Sequence, residues 1–254
     1  GRGELGELAM SFNEMAGSLE ATERRRLQLV GDVAHELRTP LPTLDGYLEG
    51  LEDGVIQPRP ETWVLLRAET ARMTRLVNDL SELWRAEARQ LPLAIAEVDA
   101  LAVAREVASR FEPQAGQRGI ALAVDGPAAA TSADRDRLGQ VLANYLSNAL
   151  RHAPDGSRIA LTVSRRGEMV RIAVADQGPG LAPDQLEAVF ERFYRVDAAR
   201  SRAAGGSGIG LAIVRALAEA MDGQAWAESE GAGRGATFIV ELPARSPGGV
   251  LFNG

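Results

Sequence analysis

Only two histidines, His35 and His152, stand in the 254 residues, and the chain has no cysteine and no lysine. That excludes disulfides, thiolate zinc sites, cysteine nucleophiles, Schiff-base lysines and the lysine of a Walker loop. A multi-histidine metal site would lack ligands. His35 has neighbours that could do chemistry. On a helix turning about 100° per residue, Val33 and Leu37 both fall on the far side, so the ring points out of the apolar seam. Glu36 adjoins it, and Thr39 returns to within about 40° of it one turn on. Pro40 and Pro42 follow. Proline inside a helix removes an amide donor and bends the rod, at a cost of about 3 kcal/mol or more, which marks a site rather than a scaffold. An imidazole with a pKa of about 6.5 is mostly neutral and nucleophilic at neutral pH. An adjoining carboxylate can hold its tautomer and accept its proton as nitrogen attacks an electrophile. A hydroxyl one turn away could position water for the reverse hydrolysis. The plain alternative is a solvated surface histidine, and the Glu, Thr and Pro context argues against it.

Three further clusters lie in the second half. In residues 144–152, Asn144 and Asn148 are four apart and share a helix face. Two amide oxygens on one face suit Mg2+, a hard cation that takes oxygen ligands and keeps several waters. Arg151 and His152 at the helix end could reach phosphate. The alternative is a helix merely capped by asparagine. Asp176-Gln177-Gly178-Pro179-Gly180 follows an apolar strand. A carboxylate there can accept from an exocyclic amine, and the glycines let backbone approach a flat base, although an ordinary turn also has this composition. Residues 205–211 hold Gly205, Gly206, Gly208 and Gly210 and run straight into a helix. Close backbone approach and a helix N-terminus make a phosphate cradle. It is neither a Walker loop nor a Rossmann loop, which needs a first strand and a later acid. Between the last two clusters, an Arg-, Ala- and Gly-rich stretch has Phe190, Phe193 and Tyr194 as its aromatic anchors. Arg192, Arg195, Arg200 and Arg202 give it positive charge, and a mobile lid fits this composition.

The elements that must position these groups follow from hydrophobic periodicity. Leu5, Leu8, Phe12, Met15, Leu19 and Thr22 form a heptad seam. A second seam runs through Val30, Val33, Leu37, Leu41, Leu44, Leu48 and Leu51 and stops at Asp53-Gly54. The Pro-rich stretch to Pro60 cannot continue a helix. A third run carries Leu66, Met73, Leu76, Leu80 and Leu83, with Trp63 and Trp84 near its ends. Two helices joined by a short loop make an antiparallel hairpin. Each seam is too wide for one partner to bury, so a homodimeric four-helix bundle is expected. A hairpin docked on the next domain is the alternative.

After Pro92 strand-like and helix-like runs alternate. Strands are expected at 120–124, 159–163, 170–174, 226–228 and 237–242, with helices at 135–151 and 209–221. The fold class is α+β: the helical hairpin, then an α/β sandwich with a mixed sheet and helices on one face. The expected domains are 1–24, a linker coiled coil; 25–91, the hairpin; 92–245, the sandwich; and 246–254, a disordered tail.

The formal charge of −7 argues against a general nucleic-acid coat, so no direct nucleic-acid partner is expected. An apolar fraction of 45% is too high for full disorder. No run of 18 apolar residues occurs, and no signal peptide is visible.

In this order, the clusters resemble the cytoplasmic part of a two-component sensor histidine kinase. Residues 33–41 resemble its H-box, 144–152 its N-box, 176–180 its G1 box, 189–195 its F-box, 206–211 its G2 box and 231–238 its last glycine cluster. Residues 3–15 are similar to the end of a HAMP linker. The resemblance implies that His35 accepts the γ-phosphoryl of ATP, that Glu36 is the neighbouring base and that Thr39 sits at the phosphatase position. It implies that Asn148, with Asn144, holds Mg2+ against the phosphates and that Asp176 reads the adenine amine beside Gly178 and Gly180. Arg195 would meet the γ-phosphate, and Gly206, Gly208, Gly210 and Leu211 would line the phosphate cradle with Arg151 and His152. Arg151 stands where many members carry Lys, which keeps charge but changes geometry. His152 stands where Tyr or His is usual. A homodimer and a response-regulator receiver domain are the implied partners. A full-length protein anchored in the membrane through missing N-terminal segments is implied, with this chain a soluble fragment on its cytoplasmic side. Two other readings stay open: a phosphatase-dominant or ATP-regulated scaffold, and another ATPase of the same nucleotide-binding superfamily.

Overall fold

The computed structural model describes residues 40–87, 90–196 and 208–245, together with Phe12, Gly17, Gly31, Val33, Leu37 and Arg38. The 1–24 seam apart from Phe12, the H-box residues His35, Glu36 and Thr39, the centre of the Arg-rich stretch, Gly206 and the tail lie outside the described residues. The chain divides into two compact units, 1–75 and 76–254.

In the first unit, α1 (Pro40–Glu52) leads by a short loop into α2 (Pro60–Glu87), whose later turns belong to the second unit. The loop is set by local chemistry. Gly54 ends α1 at φ 70°, a left-handed conformation that suits glycine. The Ile56 N–H donates to the Gly50 carbonyl at 2.7 Å, and the Ile56 side chain covers Gly50, where a Cβ would stand 2.7 Å from its Cδ1. Pro60 then opens α2 at a first-turn position that needs no amide donor. On the seam, Leu41 and Leu48 remain about half exposed in the single chain. A groove lined by Leu44, Leu48, Trp63 and Leu66 runs between the two helices.

The second unit starts with the last turns of α2, where Leu76, Leu80, Leu83 and Ala86 are buried. Glu82 accepts from Arg137 at 2.5 Å and from Gln140, and Glu87 pairs with Arg192. Then come β1 (Ile95–Asp99), α3 (Ala100–Gln117), β2 (Ala121–Asp125), β3 (Ala130–Asp134) and α4 (Arg135–His152). β4 (Arg158–Arg166), β5 (Met169–Ala175), the one-turn α5 (Gln185–Ala188), α6 (Gly210–Ala220), β6 (Gln224–Glu228) and β7 (Thr237–Pro243) complete it. A five-stranded mixed sheet has the order β2-β4-β5-β7-β6, with β2–β4 parallel and the remaining pairs antiparallel. β1 and β3 form a separate antiparallel pair. One sheet face, carried by Ile159, Leu161, Val163, Val170, Ile172, Val174, Phe238, Val240 and Leu242, is buried. α3 packs on α4, and α4 on α6.

The expected strands and helices of the sandwich appear within a residue or two, except that the strand expected at 159–163 runs three residues further, to Arg166. The sequence reading did not single out β1, β3 or α3. β3 is Ala-Thr-Ser-Ala-Asp, poor in strand formers, and exists through pairing with β1 across the whole of α3. A signal for α3 was available: Asp99 caps it by accepting from the N–H groups of Leu101 and Ala102, ahead of a helically spaced apolar run.

The centre of the core is Tyr145 on α4, fully buried. Its hydroxyl donates to the Ile239 carbonyl at 2.7 Å, and its ring lies 5.7 Å from that of Phe238. Burial pushes the phenol far above its usual range. Tyr145→Phe removes that hydrogen bond at a cost of about 1 kcal/mol, so thermal unfolding should come about 2–4 °C earlier. An unchanged melting temperature would show that the bond is idle.

Candidate functional site

The site is built on α4. Asn144, Asn148 and His152 follow at four-residue intervals, so they line one face of this helix. Both ends of the face are pinned. At one end the Asn144 amide nitrogen donates to the Gly210 carbonyl at 3.2 Å, tying α4 to the start of α6. At the other, the His152 carbonyl abuts Gly178, where a Cβ would stand 3.1 Å from it. Asn148 lies between them, half-buried, and its side chain makes no hydrogen bond to the described residues.

Asp176 ends the apolar strand β5 and is almost fully buried. Its Oδ1 accepts the Gly178 N–H at 2.7 Å. Burial pushes its pKa up, and backbone N–H groups of Gly178 and Ala236 partly oppose the rise. The turn is laced to the last glycine cluster. Gly235 N–H donates to the Gly178 carbonyl at 3.2 Å, Gly233 N–H to Pro179 at 2.6 Å, and Asp176 N–H to Ala236 at 2.9 Å. Ser229 adds a clamp that the sequence did not flag: its hydroxyl donates to the Gly235 carbonyl at 2.6 Å and accepts from Leu181 N–H at 3.0 Å. Gly180, at φ 73°, faces the Gly231 carbonyl so closely that any side chain would collide.

The Arg-rich stretch is gathered at its neck. Phe193 N–H donates to the Gly208 carbonyl at 3.0 Å, and a Cβ on Gly208 would stand 2.9 Å from the Phe193 Cα. Both residues have positive φ, 59° and 73°. Phe190 is buried against Phe238, edge to face at 6.5 Å, with the Arg215 guanidinium over its ring at 4.5 Å. Arg195 is half-buried just beyond the neck, and Leu211 is half-buried in the first turn of α6. Arg151 and His152 are exposed at the end of α4. Partial desolvation, helped by the charge of Arg151, lowers the His152 pKa.

The structure therefore joins three of the sequence clusters, around 144–152, 176–180 and 208–211, through one helix. The 231–238 cluster forms the wall behind the Asp176 turn. Glycines that let the Asp176 turn pack tightly on the backbone of Gly231 and His152, an unengaged amide midway along the helix and a helix start beyond it fit a magnesium-bound nucleotide. Among the described residues no helix is long and apolar enough to cross a membrane.

A mixed sheet with an asparagine helix, an acidic glycine turn and a glycine-led helix at one end defines a nucleotide-binding ATPase domain. Residues 133–246 match the family described as histidine kinase-, DNA gyrase B-, and HSP90-like ATPase, and residues 25–89 match the His Kinase A (phospho-acceptor) domain. Similar proteins include the signal transduction histidine-protein kinase BaeS of Escherichia coli, 40% identical over 94% of this chain and 51% of the relative. The Acinetobacter baumannii histidine kinase AdeS superposes with a TM-score of 0.71, at 28% identity, over 84% of this chain and 98% of that one. Full-length ShkA in complex with AMPPNP gives 0.64 at 34% identity, over 88% of this chain and 47% of that one. The chain thus carries the phospho-acceptor and ATPase domains of histidine kinases, and over most of its length it is similar to two-component sensor histidine kinases. It spans about half the length of BaeS and of ShkA.

Proposed function

We propose that this chain binds magnesium-ATP and transfers its γ-phosphoryl group to His35, from which the group passes to an aspartate of a response-regulator receiver domain. The observation that carries the reading is that one helix, α4, meets the Asp176 turn at one end and Gly210 at the other, with an unengaged Asn148 between. The AMPPNP held by the similar ShkA supports the same ligand class.

In this reading Asp176 accepts the adenine amine, while Gly178 and Gly180 let the backbone meet the base. Asn148, with the oxygen of Asn144, holds Mg2+, whose role is to neutralise phosphate charge. Gly206, Gly208, Gly210 and Leu211 line the phosphates at the start of α6, Arg151 and His152 close the other side, and Arg195 faces the γ-phosphate. A neutral His35 nitrogen forms the P–N bond as the bond from phosphorus to the departing ADP oxygen breaks, and Glu36 takes the ring proton. The half-exposed Leu41 and Leu48 are the surface expected to pair with a second copy in a four-helix bundle. The domains are proposed as 1–24 linker, 25–91 phosphotransfer hairpin, 92–245 catalytic domain and 246–254 tail, within a longer membrane-anchored protein.

The test is incubation with γ-labelled ATP and magnesium. Acid-labile, alkali-stable label on the chain supports the proposal. Nucleotide binding without label supports an ATP-regulated scaffold instead, and steady phosphate release without label supports a general ATPase.

Thr39, one turn beyond His35, is proposed to orient the water that removes phosphate from the regulator. Thr39→Ala should leave self-labelling within about twofold and slow regulator dephosphorylation about tenfold or more. Equal loss of both activities would refute the division of roles.

A further inference from the structure

Ser229 directly follows β6 and sets a half-buried hydroxyl behind the Asp176 turn. A hydroxyl has one proton to give and two lone pairs. Here all three are used. The proton goes to the Gly235 carbonyl at 2.6 Å, and the oxygen accepts from Leu181 N–H at 3.0 Å and from Gly231 N–H at 3.3 Å. Two of these partners stand at the two ends of the turn. At its start, Gly235 N–H donates to the Gly178 carbonyl at 3.2 Å, and Gly178 N–H donates to Asp176 Oδ1 at 2.7 Å. Hydrogen bonds thus run in series from the Ser229 hydroxyl to the carboxylate. Gly235 is wedged in place as well, since a Cβ on it would stand 2.1 Å from the Asp176 carbonyl oxygen. At the exit of the turn Leu181 is buried, and among the described residues Ser229 is the acceptor that its N–H finds. Gly180 just before it has the wide backbone freedom of glycine, so that bond is what fixes the exit.

The remaining ties, from Gly233 N–H to Pro179 and from Asp176 N–H to Ala236, are backbone bonds that a change at 229 leaves in place. Loss of the hydroxyl therefore loosens the turn without dissolving it. It leaves the buried Leu181 N–H and the Gly235 carbonyl without their partner, and such groups shift to find another. The consequence falls on Asp176. Its Oδ1 is engaged by Gly178, whereas Oδ2 makes no hydrogen bond to the described residues. The two oxygens share one plane, so the anchored one sets where the other points. We propose that Ser229 is a positioning residue for base recognition: by holding Gly235 and Leu181 it fixes the direction of the Asp176 carboxylate, and so sets how sharply the site separates a 6-amino purine from a 6-oxo purine. This rests on the reading of Asp176 as the acceptor of the adenine amine.

The experiment titrates the whole chain, Ser229→Ala and Ser229→Thr with magnesium-ATP and magnesium-ITP by calorimetry. The two nucleotides share ribose and phosphates and differ along the base edge, so the ratio of their affinities cancels what the rest of the site contributes. Wild type should prefer ATP by about 100-fold or more, because a 6-oxo group sets an acceptor against an acceptor. In Ser229→Ala that preference should shrink by about tenfold or more, while Ser229→Thr, which keeps the hydroxyl, should hold it within about twofold. A preference that survives in Ser229→Ala, whatever happens to its melting temperature, makes Ser229 a stabiliser alone and overturns the proposal. So does a preference lost equally in Ser229→Thr. If Ser229→Ala does not fold, Ser229→Cys, close in size and only a weak donor and acceptor, is read against the same ratio. A wild-type chain that binds ATP and ITP equally overturns the reading of Asp176 itself, an outcome visible before any variant is made.

Discussion

His35→Gln, supplied with γ-labelled ATP and magnesium, is expected to stay at background while the wild-type chain acquires acid-labile label. Glutamine matches the polarity and approximate size of histidine, but its amide nitrogen has no lone pair available for attack on phosphorus. The substitution removes nucleophilicity and little else. Nucleotide affinity should stay within about twofold of wild type, because the residues proposed to hold ATP lie in the second compact unit. The chain has one other imidazole, on His152, at the end of α4 beside Arg151. His152→Gln is therefore the control. It should alter affinity for the phosphates and leave labelling detectable. Label that persists in His35→Gln and disappears in His152→Gln would reassign the acceptor.

Asp176→Asn is expected to weaken ATP by about 100-fold or more while the free chain melts no earlier than wild type at neutral pH. The two effects have one cause. Burial holds the carboxyl pKa above its ordinary value of 3.8. An acid whose pKa rises on folding favours the fold most below its unfolded pKa, and that contribution is lost as pH climbs through the folded pKa. At pH 7 the buried charge therefore works against stability. Asparagine removes that charge yet can still accept the Gly178 N–H through its oxygen, so the turn keeps its shape. What it adds is an NH2 group where the adenine amine also donates, and a site built to accept a donor rejects a mismatch strongly. Thermal scans across pH should show the variant gaining on wild type from acidic to neutral pH. ATP titration should show the loss throughout. A variant that bound ATP normally would remove Asp176 from base recognition, and one that melted much earlier at pH 7 would contradict the sign of the burial effect.

Much of the site was legible because it is written in short contiguous pieces. Asn144 and Asn148 need only the helical repeat to share a face, and Asp176 needs only an apolar strand before it and glycines after it. Gly208 and Gly210 need only a helix to follow. Glycine at such positions reports backbone demands that no other residue meets, as the φ of 73° at Gly180 and Gly208 bears out. Residues whose partners lie far along the chain carried no such mark. Ser229, six residues from Gly235 and 48 from Leu181, reads as one serine among many. Arg118, whose guanidinium donates to the Ala153 carbonyl at the end of α4, reads as a surface arginine in a chain whose 28 basic residues are all arginine. β1 and β3 have little intrinsic strand preference and form because they pair with each other.

By itself, the sequence determined the order of the boxes, the alternation of helix and strand, and the residue types able to bind a nucleotide and accept phosphate. These are local properties, set by side-chain chemistry and by periods of 3.6 and 2. Only the tertiary structure decided which boxes meet and what holds them. A single helix carries Asn144 to Gly210 and the His152 carbonyl to Gly178, a glycine cluster some 55 residues on backs the Asp176 turn, and an arginine from another helix grips the end of α4. Those pairings join residues tens of positions apart, and they arise when the buried face of the sheet gathers its helices.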